Sequence, residues 1–286
     1  MSEAARRPSV LELSAGTLQY RDSGSGPPVV FVHGLLTNGT LWRGVVEQLR
    51  DTHRCLAPDW PLGSHPRALR PDADLTPHAV AALVAEFLDR LDLHDVTLVA
   101  NDTGGAIAQL VAVHHPDRLG RLVLTPCDAF DNFLPLMFRP LQYVARVPGL
   151  IGLILQSLKL RALRRLPMAF GLVTKRPVPT PVVDGWLRPA QHDRAVRRQV
   201  ERILRGIDRN ITVEAARRLP AFDKPVLLAW ASEDRVFPPE HARRLAGVLP
   251  DVRLEWIEDS YSFVPEDQPV RLAELIAAFV ADTRSG

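Results

Sequence analysis

Apolar positions run along this chain in two rhythms that take turns. Val29-Val-Phe-Val32 is an unbroken run of β-branched and aromatic residues, the pattern of a strand covered on both faces. Similar runs recur at Cys55–Ala57, Val96–Ala100, Leu122–Leu124, Val226–Trp230 and Val252–Ile257. Two alternating stretches come first, Val10–Leu13 and Thr17–Tyr20, followed by the turn-rich segment Asp22–Pro28. Helical spacing fills the gaps. From Thr76 to Leu91 the positions Val80, Leu83, Val84, Phe87, Leu88 and Leu91 share one face. Thr76 can cap that helix, with Pro77 at its first position. A second helix is predicted to follow Gly104 and end near Pro116, and a last one carries Leu272, Leu275, Ile276 and Phe279. Strands alternating with helices imply an α/β fold, a mostly parallel sheet wrapped on both faces.

The alternation breaks after Leu124. Residues 130–215 hold no convincing strand and read as helices interrupted by Pro135, Pro140, Pro148, Pro167, Pro177, Pro179 and Pro181. The strand pattern resumes at Pro225. The simplest account is a core of residues 1–129 and 216–286 with a helical cap, 130–215, inserted between them. Charge supports that division. Residues 130–210 carry 15 basic and 5 acidic residues, whereas the whole 286-residue chain has 35 basic and 33 acidic. The basic excess suits a solvated helical face, and also an anionic substrate, an acidic partner or a membrane surface.

The net charge of +2 argues against a nucleic-acid binder. No apolar run reaches the ~18 residues of a membrane-spanning helix. Met1–Val10 lacks the apolar core of a signal peptide, and Cys55 and Cys127 cannot make a disulfide framework. The expected location is the cytoplasm. No spacing of His, Cys, Asp and Glu suggests a metal, and neither a phosphate loop nor a dinucleotide motif occurs, so no cofactor is expected.

Chemistry concentrates at three loops. Leu98-Val-Ala-Asn-Asp-Thr-Gly-Gly105 reads as a strand, a sharp turn and the start of a helix. That is the shape of a nucleophile elbow, which thrusts one side chain, here Asp102, over the carboxyl end of the sheet. An aspartate capping the following helix would look the same in sequence. Val32-His33-Gly34 follows another strand, so the backbone N–H groups of Leu35 and Thr103 should converge near Asp102 as an oxyanion hole. His33 either fixes that loop or touches substrate. Asp234, after Val226–Trp230, and Asp128, after Leu122–Leu124, are two acids of which one would orient a base.

These motifs, with His33-Gly-Leu-Leu-Thr-Asn-Gly-Thr-Leu-Trp-Arg43, make the chain resemble the α/β-hydrolase branch that holds haloalkane dehalogenases and epoxide hydrolases. The resemblance covers nearly the whole chain and implies an eight-stranded core with an inserted cap. It also implies that Asp102 attacks an alkyl carbon to form an ester. A histidine then activates the water that hydrolyses it. That histidine usually stands in a segment corresponding to Glu258-Asp-Ser-Tyr-Ser-Phe-Val-Pro265, where this chain has Ser262. A serine hydroxyl is no general base near neutral pH. Leu35 and Thr103 occupy the places of the Asn and Trp that hold a halide in the dehalogenases, and Tyr143 is the only tyrosine in the cap, where epoxide hydrolases use two.

His65, in the loop Pro61–Pro66, is the substitute base with the best position in the chain. Expected pocket residues are His33, Phe130, Leu136, Phe138 and Tyr143, with Met137, Leu141, Leu150, Leu153, Phe170 and Trp186 as further walls, which suggests a largely apolar small molecule. Three readings remain open. One is a hydrolase using Asp102 with an unusual base, such as His65, His33 or a water held by Ser262. The second is a non-hydrolytic isomerase, lyase or cyclase using Asp102 as acid or base. The third is a silent ligand-binding protein.

Overall fold

A computed structural model describes residues 8–284. Most of Met1–Val10, on which the signal-peptide reading rests, lies outside the described residues. Eight strands form one sheet: β1 (Ser9–Leu13), β2 (Gly16–Ser23), β3 (Pro28–Val32), β4 (Arg54–Pro58), β5 (Val96–Asp102), β6 (Leu119–Cys127), β7 (Val226–Ala231) and β8 (Val252–Ile257). Their order is β1-β2-β4-β3-β5-β6-β7-β8. β2 pairs antiparallel with β1 and β4; every other neighbour is parallel. All six apolar runs and both alternating stretches are strands. Val29–Val32 and Leu122–Leu124 are fully buried, which is why they show no polar alternation.

The helices of the core are α1 (Arg43–Leu49), α2 (Pro77–Arg90), α3 (Thr103–His114), α9 (Pro239–Ala246), α10 (Val264–Asp267) and α11 (Pro269–Arg284). Thr76 caps α2 as its sequence suggests, its side chain accepting from the N–H of Ala79. Phe87 on α2 packs edge-on against Tyr20 and Trp60, locking the helix to the sheet. α3 is buried from Thr103 to Ala112 because it is wedged between the sheet, α2 and the helix Arg209–Arg218.

Between β6 and β7 lie α4 (Pro140–Val144), α5 (Leu150–Ser157), α6 (Thr180–His192), α7 (Arg194–Gly206) and α8 (Arg209–Arg218), with no strand among them. Short turns at Arg161–Arg165 and Pro167–Gly171 join α5 to α6. The boundary expected after residue 215 falls inside α8. That helix runs on to Arg218 and packs against α3.

Candidate functional site

The carboxyl ends of the parallel strands present the predicted side chains, the edge at which open α/β sheets bind ligands. Asp102 ends β5 with φ +58°, a conformation rare for a residue with a side chain. The bend stands because the following helix starts at once and the neighbouring loops are stripped of side chains. A Cβ on Gly34 would come within 2.3 Å of Asp102 Oδ1, and one on Gly104 within 2.5 Å of the carbonyl oxygens of Val32 and His33.

Asp102 Oδ1 accepts from the backbone N–H of Thr103 at 2.5 Å and from that of Leu35 at 3.3 Å. The two donors thus meet on one carboxylate oxygen. Burial raises the Asp102 pKa, opposed by those N–H groups and the Thr103 hydroxyl. Asp128, just past β6, is wholly buried. Its Oδ2 accepts from the Thr103 hydroxyl at 3.3 Å, and its Oδ1 has no partner. Burial, reinforced by the charge of Asp102, pushes its pKa well above the carboxylate range. Burial therefore favours its protonated form.

Asp234 and Ser262 form a second pair. Asp234 Oδ1 accepts from the N–H of Val236 at 2.7 Å, the N–H of Phe237 at 2.8 Å and the Ser262 hydroxyl at 2.8 Å. Burial raises Asp234 to about 7 despite those donors. Asn101, which the sequence reading passed over, ties the two halves together. Its Nδ2 donates to Thr125 Oγ1, the Pro126 carbonyl and the Ser262 carbonyl. A buried polar residue directly before an elbow was the available signal.

Asp102, Thr103 and Asp128 are the polar residues of a cavity of about 100 Å³, room for several waters or a small apolar molecule. Its remaining walls are apolar, from Leu35 and Leu36 on the core side to Phe138, Leu141, Ile154, Leu155 and Phe170 on the helical side. No histidine lines it, and neither Asp234 nor Ser262 reaches its wall.

Several expected residues sit elsewhere. His65 is buried against α7, its Nε2 2.7 Å from Gln199 Oε1. The reason is strand order: β4, which leads to it, is separated from β5 by β3. His33 is a brace. Its Nε2 accepts from the Trp60 N–H, so Nδ1 donates to the Gly34 carbonyl, each at 2.9 Å. Burial lowers its pKa to about 4, so it stays neutral. Phe130 points away from the cavity, under the Arg244 guanidinium and beside His241. Leu136 and Tyr143 are 74% and 69% exposed, and of the five expected contacts only Phe138 lines the cavity. Among the further walls, Leu153 faces solvent, and Met137, Leu150 and Trp186 lie off the cavity wall.

Comparison with known proteins settles the family. The model for the alpha/beta hydrolase fold matches residues 27–269. This chain belongs to that family. The α/β-hydrolase is 31% identical over 242 residues to haloalkane dehalogenase 2 of Mycobacterium tuberculosis, covering 79% of this chain and 78% of that one. It is 29% identical over 240 residues to a cis-3-alkyl-4-alkyloxetan-2-one decarboxylase of Shewanella oneidensis, covering 79% and 73%. Its fold is similar to that of haloalkane dehalogenase DbeA from Bradyrhizobium elkani, with a TM-score of 0.81 at 21% identity over 98% of this chain and 99% of that one.

Proposed function

We propose that this α/β-hydrolase acts on a largely apolar small molecule, with Asp102 as a carboxylate nucleophile and residues 130–215 as a cap. The observation that carries the reading is the grip of two backbone N–H groups on a single oxygen of Asp102. Oδ1 is held, so Oδ2 attacks an electrophilic carbon of the substrate. The bond from that carbon to its leaving group breaks, and Asp102 becomes an ester. Water adding to Cγ would then place negative charge on Oδ1, where the Leu35 and Thr103 donors already stand. Asp128, whose burial on the cavity wall favours the protonated form, supplies a proton to an oxygen leaving group and accepts one from the attacking water. The thiols of Cys55 and Cys127, both unpaired, suit a reducing cytoplasm.

One observation favours a second reading. No imidazole lines the cavity, and a carboxylate beside a carboxylic acid can shuttle protons without hydrolysis. Intact-protein mass spectrometry after incubation with alkyl halides, epoxides and esters separates the two. A mass increment that maps to Asp102 and disappears in Asp102→Asn supports attack. Conversion of a substrate to an isomer or elimination product, with no increment and no oxygen taken up from labelled water, supports the acid–base reading in its place.

A further inference from the structure

The helical insertion has an unusual surface. Residues 132–183 contain no Asp or Glu and eight Arg and Lys residues. The same stretch gathers exposed apolar side chains. Of nine large hydrophobic residues exposed among the described residues, seven fall between Leu136 and Met168. Single exposed leucines are ordinary on any protein; seven within one short stretch, interleaved with cations, mark a surface that meets something. Arg146, Lys159, Arg161 and Arg165 are exposed and make no ion pair among the described residues. Arg161 and Arg165 stand at a cleft of about 510 Å³ with Arg164, Lys175 and Arg176, which are themselves paired with Asp184, with Glu233 and Asp259, and with Asp259.

We propose that this face docks on an anionic phospholipid bilayer. Leu153, Leu160 and Leu166 enter the boundary between headgroups and acyl chains, and the arginines pair with lipid phosphates. The combination selects the partner. A nucleic acid matches the cations and leaves the leucines in water, whereas a bilayer offers an anionic plane with hydrocarbon directly beneath it. The protein lies on the membrane: among the described residues no helix is long and apolar enough to cross one. The surface also leads inward. Met168 is exposed and lines the Asp102 cavity, and Phe170 walls both the cavity and the basic cleft. A lipid-dissolved substrate would thus enter from the docked face. The docking itself does not depend on what Asp102 does.

Flotation with vesicles tests it, comparing phosphatidylcholine alone with phosphatidylcholine containing about 30% phosphatidylglycerol, a charge density within the range that attracts polybasic segments. The expected result is at least about tenfold more bound protein on the anionic vesicles at low salt. That excess should collapse in 1 M salt, where the screening length shrinks to about 3 Å. Arg161→Glu with Arg165→Glu, and separately Leu153→Asp with Leu160→Asp, should each cut binding about tenfold or more. Both pairs are on the surface, so the fold survives, which circular dichroism checks. Val270→Asp, on the exposed side of α11, should change nothing. Failure to bind anionic vesicles overturns the proposal, as does binding untouched by the leucine changes. Tighter binding to a polyglutamate peptide than to vesicles also overturns it and assigns the face to an acidic protein.

Discussion

Asp234→Asn isolates the proton held beside Ser262. In the folded chain the Asp234 pKa stands at about 7, against 3.8 for an ordinary aspartate. Burial is the largest cause, and the charge of Asp102 adds to it; the Phe237 and Val236 N–H groups and the Ser262 hydroxyl oppose it. Below pH 3.8 the acid is protonated in both folded and unfolded chains, and it costs no stability. As pH rises toward 7 the unfolded chain gives up this proton and the folded chain keeps it, so stability falls. Above 7 both have ionised and the loss is complete. At about 1.36 kcal/mol per pH unit, the interval amounts to about 4 kcal/mol. Asparagine mimics the protonated acid. Its carbonyl can take the three donors of Oδ1, and its amide stands where Oδ2 has no partner. Urea unfolding of both proteins across pH 4 to pH 8 should show the variant gaining about 4 kcal/mol on the wild type over that range. Asp102 and Asp128 shift in the same direction and are common to both proteins, so the difference reports Asp234 together with its coupling to Asp102. A difference that stays flat within about 1 kcal/mol would refute the buried, proton-holding acid.

Three other perturbations probe the site and its surroundings. Gly34→Ala places a Cβ 2.3 Å from Asp102 Oδ1, forcing the carboxylate off its two N–H donors. Hydrolysis of an Asp102 ester should slow by about 10²–10³, the scale of a lost oxyanion donor, with little change in the circular dichroism spectrum. Ser262→His puts an imidazole beside Asp234, supplying the base that the proposed mechanism lacks. The half-life of an Asp102 ester, followed by intact mass, should shorten by about 10²–10⁴, and an unchanged half-life would show that the base is not the limiting deficit. Burial pushes the Cys55 thiol up to about 12 and Cys127 well above its ordinary value. Neither should react with a thiol-disulfide reagent in the native protein, while both should titrate in denaturant.

Much of the architecture was legible in the order of residues. The six apolar runs and two alternating stretches became the eight strands, and Thr76-Pro77 opened α2, because a strand and a capped helix leave periodic, local traces. The turn at Asn101–Gly105 was legible for the same reason: only small residues permit such a close crossing. The helical insertion was far less so. Leu136, Tyr143 and Phe138 are equally apolar in sequence, yet only Phe138 meets the cavity. Short helices broken by prolines carry too few turns to show which way they face.

What the chain order determined by itself is local: where strands and helices begin, and that a carboxylate, Asp102, stands at the sharp turn after β5. What the tertiary structure alone decided is which groups share a space. Asp128 reached the cavity and Asp234 went to Ser262, although both follow strands in the same way. His65 was lost to Gln199 because its strand sits two places from β5 in the sheet. Strand order and helix packing bring residues together across long stretches of chain, and the electrostatics of each acid depends on the burial and neighbours that only this assembly supplies.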